Sequence, residues 1–207
     1  MKNNKVLLLL IVAFVVLLGG AYVLYEKLSD SVENDVLIGQ TDSTAGETAG
    51  NSEEQKAEEN GTQDDGRILA PDFTVIDAEG NEVSLTDFYG KPIVLNFWAS
   101  WCGPCKSEMP DFDAAYATYG EDIHFLMVNL TDGYRETVDV AKAFIEEQEY
   151  SFPVYYDTEY SASSAYGVSS IPATYFLDAE GYAIAQAKGA LDAETLERGI
   201  GMIFESK

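Results

Sequence analysis

The chain has 207 residues, with 12 Lys and Arg against 36 Asp and Glu, for a net charge of −24. That sign repels phosphate backbones and anionic headgroups, which argues against nucleic acid as a partner and requires any membrane contact to come from an inserted segment. Two cysteines three positions apart are too few for a disulfide-stapled scaffold. With the single His124 they also fall short of the four ligands of a structural zinc site, so no metal is expected and the thiols read as reactive.

Val6 to Tyr25 is a run of twenty uncharged residues, which as a helix would reach about 30 Å, the thickness of a bilayer core. Lys2 and Lys5 precede it and acidic residues dominate the chain beyond Tyr25, so the N-terminus is expected in the cytoplasm and the remainder outside. Gly19, Gly20 and Ala21 would suit a signal peptidase, but the apolar run continues to Tyr25, which favours an uncleaved anchor over residues 1–28. Residues 29–66 read as an acidic tether. From Gly39 to Gly66 there is no Val, Ile, Leu, Met or aromatic residue, and eight acids face the one base Lys56. Such a segment cannot bury enough surface to offset its chain entropy.

Residues 67–207 carry a different pattern. Phe73–Ile76 and Glu82–Leu85 flank the turn residues Asp77 to Asn81 and predict an N-terminal hairpin. Ile93 to Trp98 is a continuous apolar run of the kind that fills a central strand buried on both faces. Cys105, Met109, Phe112, Tyr116 and Tyr119 then recur at helical spacing. Strands are expected at Ile123–Leu130, Pro153–Tyr156, Ala173–Leu177 and Tyr182–Ala187, with helices at Val138–Glu147 and Ala193–Phe204. This alternation predicts an α/β domain with helices on both faces of one sheet.

The chemistry lies in the stretch from Trp98 to Pro110. Cys102 leaves a buried strand and opens a helix, where unpaired N–H groups and the positive end of the helix dipole stabilise a thiolate. Cys105 follows one turn later, placed to resolve a mixed disulfide formed at Cys102. Gly103 and Pro104 suit a helix's first turn and a close approach by substrate. Trp101 reads as a surface lip beside the thiols, whereas Trp98 reads as core.

The sequence WCGPC after an FW-containing strand resembles the thioredoxin superfamily. The preceding Ala70-Pro71-Asp72-Phe73, the spacing and the anchor are similar to its TlpA/ResA branch of membrane-attached disulfide reductases, over roughly Ala70 to Phe204. The resemblance implies a thioredoxin-like fold: a central mixed β-sheet flanked by helices, with an N-terminal β-hairpin and an inserted βα element between Ile123 and Pro153. It also matches Pro110 to the family's helix-kinking proline and Ile171-Pro172 to the cis-proline that faces the CxxC and pairs with an extended substrate. Thioredoxins place a proton-handling aspartate where this chain has Asn96, which cannot exchange a proton at useful pH. The TlpA/ResA-like glutamate falls on Glu108, which is expected to take that role.

The expected activity is protein-disulfide reduction in exported clients: Cys102 attacks, Cys105 resolves, Glu108 handles the proton, and Trp101, Gly103, Pro104, Ile171 and Pro172 form the substrate contact. No cofactor is expected. By resemblance, electrons come from a membrane thiol donor of the CcdA or DsbD type. The rival readings are a disulfide oxidase or isomerase, a thioredoxin-fold peroxidase, and a copper carrier. The last of these would call for a histidine near the thiols, and His124 lies inside an expected strand.

Overall fold

The computed structural model describes residues 37–39 and 67–204. The expected anchor at Val6–Tyr25 and nearly all of the tether lie outside them. Among the described residues no helix is long and apolar enough to cross a membrane. Eight strands form one mixed sheet: β1 (Leu37–Gly39), β2 (Thr74–Ile76), β3 (Glu82–Ser84), β4 (Ile93–Trp98), β5 (His124–Asn129), β6 (Val154–Tyr156), β7 (Ala173–Leu177) and β8 (Ala183–Lys188). Their spatial order is β1-β8-β7-β4-β5-β6-β2-β3. Strands β4, β5 and β6 run parallel, whereas β7 lies antiparallel to β4 and β8 antiparallel to β7. Every residue of β4 is buried, as its unbroken apolar run predicts.

The helices are α1 (Gly103–Tyr119), α2 (Val138–Gln148), α3 (Ser161–Ala165) and α4 (Ala193–Ile203). Because β4, β5 and β6 are laid down in one direction, the crossovers through α1 and α2 fall on the same face of the sheet. Met109 and Phe112 of α1, Ala141 of α2, and Leu196 and Ile200 of α4 meet Val94, Phe125 and Phe176 there. The opposite face, centred on Leu95, Phe97 and Val128, is covered by Ala70, Phe73, Leu85 and Ala162 of α3. Helices on both faces and an N-terminal β2–β3 hairpin are thus as the sequence implies.

Three local features differ from expectation. The second hairpin strand stops at Ser84, because Asp87 accepts the Ser84 N–H at 2.8 Å and the chain turns into a 3-10 helix at Leu85–Phe88. The short helix α3 has no counterpart among the expected elements; the Asp157 carboxylate accepts the N–H groups of Ala162 and Ser163 and so starts it. Leu37–Gly39, inside the segment read as tether, pairs antiparallel with Ala185–Ala187 at the sheet edge. With Val36 it is the apolar interruption between the anchor and residue 67.

Candidate active site

Strand β4 ends at Trp98, and the connection Ala99-Ser100-Trp101 carries the chain to Cys102, the N-cap of α1. The Cys102 N–H donates to Ala99 O at 3.1 Å, and Lys106 N–H donates to Cys102 O at 3.1 Å as the helix begins. Pro104 occupies the first turn, where its missing N–H costs nothing. Cys102 and Cys105 are joined in a disulfide, and the Cys105 N–H donates to Cys102 Sγ at 3.2 Å. The two cysteines are not equivalent: the Cys102 residue retains 4% exposure and Cys105 none.

The loop before β7 closes over this helix end. The Ile171–Pro172 peptide bond is cis, and Ile171 O lies 3.8 Å from Cys102 Sγ. Pro172 O accepts from Gly189 N–H at 2.9 Å, which ties the loop to the end of β8. Cys102, Cys105, Ile171 and Pro172, far apart in sequence, therefore meet at one point. Trp101 is exposed at 42%, as are Gly103 and Pro104 beside it, and the Arg135 guanidinium lies over the Trp101 ring at 4.1 Å.

Glu108 lies one turn beyond Cys105 on the same side of α1, the i, i+3 relation that makes helical neighbours. It is not solvated: its residue exposure is 1%. Oε1 accepts from Asn96 Nδ2 at 2.9 Å and Oε2 from Leu191 N–H at 2.8 Å. Burial pushes its carboxyl up to about 7, against the opposing pull of those two hydrogen bonds and with a small further push from Asp111. Asn96 also donates to Thr174 Oγ1 at 3.0 Å, while its own Oδ1 is buried without a partner. Asn96 cannot exchange a proton itself, but its amide holds the Glu108 carboxyl in place.

Another buried carboxylate near the thiols has no clear mark in the sequence. Glu136, fully buried in the connection between β5 and α2, accepts from Ser100 N–H at 2.8 Å, Ser100 Oγ at 2.7 Å and Asn129 Nδ2 at 2.7 Å. It anchors the connection that leads to Cys102. The signal available was slight, an acid directly before a Thr helix cap. His124 begins β5 opposite Ile93, at the far end of the strand pair from Trp98. It packs edge-on to Phe88 at 5.4 Å, and burial lowers its pKa. It therefore stands at the other end of the sheet from the thiols.

A CxxC at a helix start, faced by a cis-proline on the neighbouring strand of a mixed sheet, defines a thioredoxin-fold dithiol–disulfide protein. Residues 68–185 match the model of the AhpC/TSA family, and the chain belongs to that family. It is 37% identical over 128 residues to the thiol-disulfide oxidoreductase ResA of Bacillus cereus, covering 62% of this chain and 72% of that protein. With the ResA of Geobacillus thermodenitrificans the identity is 35% over 135 residues, covering 65% and 75%. Among solved structures it is similar to StoA from Bacillus subtilis, with TM-score 0.55 and 27% identity over 63% of this chain and 97% of that one. It is also similar to the pneumococcal exposed lipoprotein thioredoxin from Streptococcus pneumoniae, with TM-score 0.56 and 29% identity over 63% and 98%.

Proposed function

We propose that this thiol–disulfide oxidoreductase works outside the cytoplasm, held by an N-terminal anchor at Val6–Tyr25, and reduces disulfides in exported proteins. The observation that carries the reading is the asymmetric dithiol. Cys102 is at the helix start and within 3.8 Å of Ile171 O, whereas Cys105 is sealed behind it with a buried carboxyl one turn further on.

The helix N-terminus favours the Cys102 thiolate, which attacks one sulfur of the client disulfide. A Cys102–client bond forms, the client S–S bond breaks, and one client thiolate leaves and takes up a proton. Cys105 then gives its proton to the Glu108 carboxylate and attacks Cys102 Sγ, expelling the second client thiolate. Two electrons have passed to the client, and the Cys102–Cys105 disulfide is the product. Burial would keep the Cys105 thiol protonated, so a base beside it is required, and a carboxyl near 7 can both accept and return a proton. Trp101, Gly103, Pro104, Ile171 and Pro172 form the client contact. A membrane thiol donor of the CcdA or DsbD type restores the dithiol.

The Gly103-Pro104 spacer fits a low-potential couple, and the names of the ResA relatives support thiol–disulfide exchange as the chemistry. The test is the reduction potential of the Cys102–Cys105 couple. A value near −270 mV, about that of thioredoxin, supports reduction, and one near −120 mV would make the protein an oxidant instead. For topology, protease added to intact protoplasts should cut within Gly39–Gly66; cleavage only after lysis would place the domain inside.

A further inference from the structure

Six large hydrophobic side chains among the described residues are more than a third exposed, and three of them stand around one loop. Tyr134 is 95% exposed, Tyr160 48% and Trp101 42%. The loop is Asp132–Glu136, and it is rigidly built. Asp132 Oδ1 accepts the N–H groups of Tyr134, Arg135 and Glu136 at 2.8, 2.7 and 2.8 Å, and Gly133 N–H donates to Glu136 O at 3.0 Å. Glu136 fastens its end to Ser100, two residues before the nucleophile. Arg135 stacks on Trp101, and Tyr160 Oη donates to Asp132 O at 3.4 Å. A solvated loop tip has no need of this bracing, and an aromatic ring left almost wholly in water on a fixed backbone loses little entropy when something covers it.

We propose that Asp132–Glu136 is a docking lip for the client, and that the lip receives a large apolar side chain on the extended segment next to the target disulfide. Continuity with the dithiol singles out this occupant. Ile171 O lies 3.8 Å from Cys102 Sγ, and Trp101, next to Cys102 in the chain, carries Arg135 over its ring, so a segment flanking the target disulfide on the Trp101 side meets Arg135 and its neighbour Tyr134. An extended segment advances about 3.3 Å per residue, so residues two or three from the cysteine fall beyond the thiols and onto the lip. Rigid aromatic rings beside a cation give contact area to aliphatic and aromatic side chains alike. Selectivity then resides in the residues flanking the client cysteine rather than in the cystine itself. The lip depends on the proposed function only in taking clients to be polypeptides.

The test uses the reduced full chain and short peptides whose single Cys carries a thionitrobenzoate disulfide. The Cys102 thiolate bonds to the peptide sulfur and the coloured thionitrobenzoate leaves, so the rate is read directly in either cellular direction of the enzyme. Peptides with Phe two residues before or after the Cys should react about fivefold faster than their Ser counterparts, on the scale of one aromatic contact. Tyr134→Ser and Tyr160→Ser should each pull that ratio toward one, and the pair together should abolish it. Both side chains are solvent-facing, and circular dichroism confirms that the variants fold. A wild-type ratio of one, or a ratio that survives both substitutions, overturns the lip. So does a concentration-dependent dimer, seen by sedimentation, that Tyr134→Ser dissolves, since the rings would then belong to a second copy of the chain. A reduction potential near −120 mV would sink the reductase reading while leaving the peptide ratios to stand or fall on their own.

Discussion

Replacing Glu108 with Gln tests whether this side chain is a buried acid or a spectator on a helix. Its carboxyl is raised from 4.5 to about 7, chiefly by burial. Between those values the folded protein holds a proton that the unfolded chain has released, so native stability falls as pH rises through the window. Two and a half pH units at about 1.36 kcal/mol each amount to roughly 3 kcal/mol, lost in full by pH 8. Gln does not titrate, and the surroundings can receive it. Its oxygen can accept from Leu191 N–H, and Asn96 can turn its amide over so that Oδ1 accepts from the new NH₂ group and from Thr174 Oγ1; the Asn96 NH₂ then takes the partnerless position, a cost that does not vary with pH. Urea unfolding of the oxidised protein should therefore give Glu108→Gln a stability relative to wild type that is roughly 3 kcal/mol more favourable at pH 8 than at pH 4.5. Disulfide reduction should move the opposite way, slower by roughly 10²-fold or somewhat less at pH 7. Resolution of a mixed disulfide by wild type should speed up as pH rises toward 7, a titration the Gln variant lacks. A solvated glutamate would show neither effect. A stability difference that does not vary between pH 4.5 and 8, or client reduction at the wild-type rate, refutes the reasoning.

Reduced protein treated with limiting iodoacetamide at pH 7 should alkylate at Cys102 first, because Cys105 is fully buried. In cells, Cys105→Ser should accumulate mixed disulfides and Cys102→Ser should not; capture by the wrong variant reverses the assignment. Glu136→Ala leaves the donors of Ser100 and Asn129 without their carboxylate and should cost roughly 3 kcal/mol in denaturant unfolding. A loss under about 1 kcal/mol would mean the loop re-pairs elsewhere. Two glycines of α4 should respond oppositely to Ala. A Cβ on Gly199 would run into the Phe176 ring and should destabilise by about 1–3 kcal/mol, whereas Gly201 has open space and should gain up to about 1 kcal/mol from helix propensity. Thermal midpoints measured side by side decide the pair.

The parts of the fold that are legible in the sequence are those where one local signal dominates. Ile93–Trp98 stands out because a strand buried on both faces has no polar positions to interrupt it. The start of α1 is legible from Cys102, Gly103 and Pro104, which are suited to a cap and first turn. The positions of Cys102, Cys105, Ile171 and Pro172 follow from a motif resemblance, and the structure brings them together as that implies. The features that stay hidden depend on partners distant in the chain. Glu136 looks like one more acid in an acidic protein, and only its contact with Ser100, 36 positions away, makes it structural. Glu108 falls at the edge of an apolar helix face; one of the two donors that hold its buried carboxyl is the N–H of Leu191, 83 positions away. Helix α3, with the sequence Ser-Ala-Ser-Ser-Ala, has no apolar stripe to betray it and is held by Asp157 ahead of it.

The donor from Leu191 has a consequence for the order in which the chain matures. Strand β4, the cysteines and α1 are all synthesised before residue 120, but the amide that steadies Glu108 belongs to the last strand-to-helix connection. A chain still emerging, or one whose final helix has come undone, carries both thiols without the cradle that sets the carboxyl's affinity for a proton. The dithiol is thus present early, whereas the buried setting of the Glu108 carboxyl is completed only when the C-terminal end docks. Fraying of α4 would accordingly be registered first as an altered pH response of thiol exchange, while the sheet behind it was still intact.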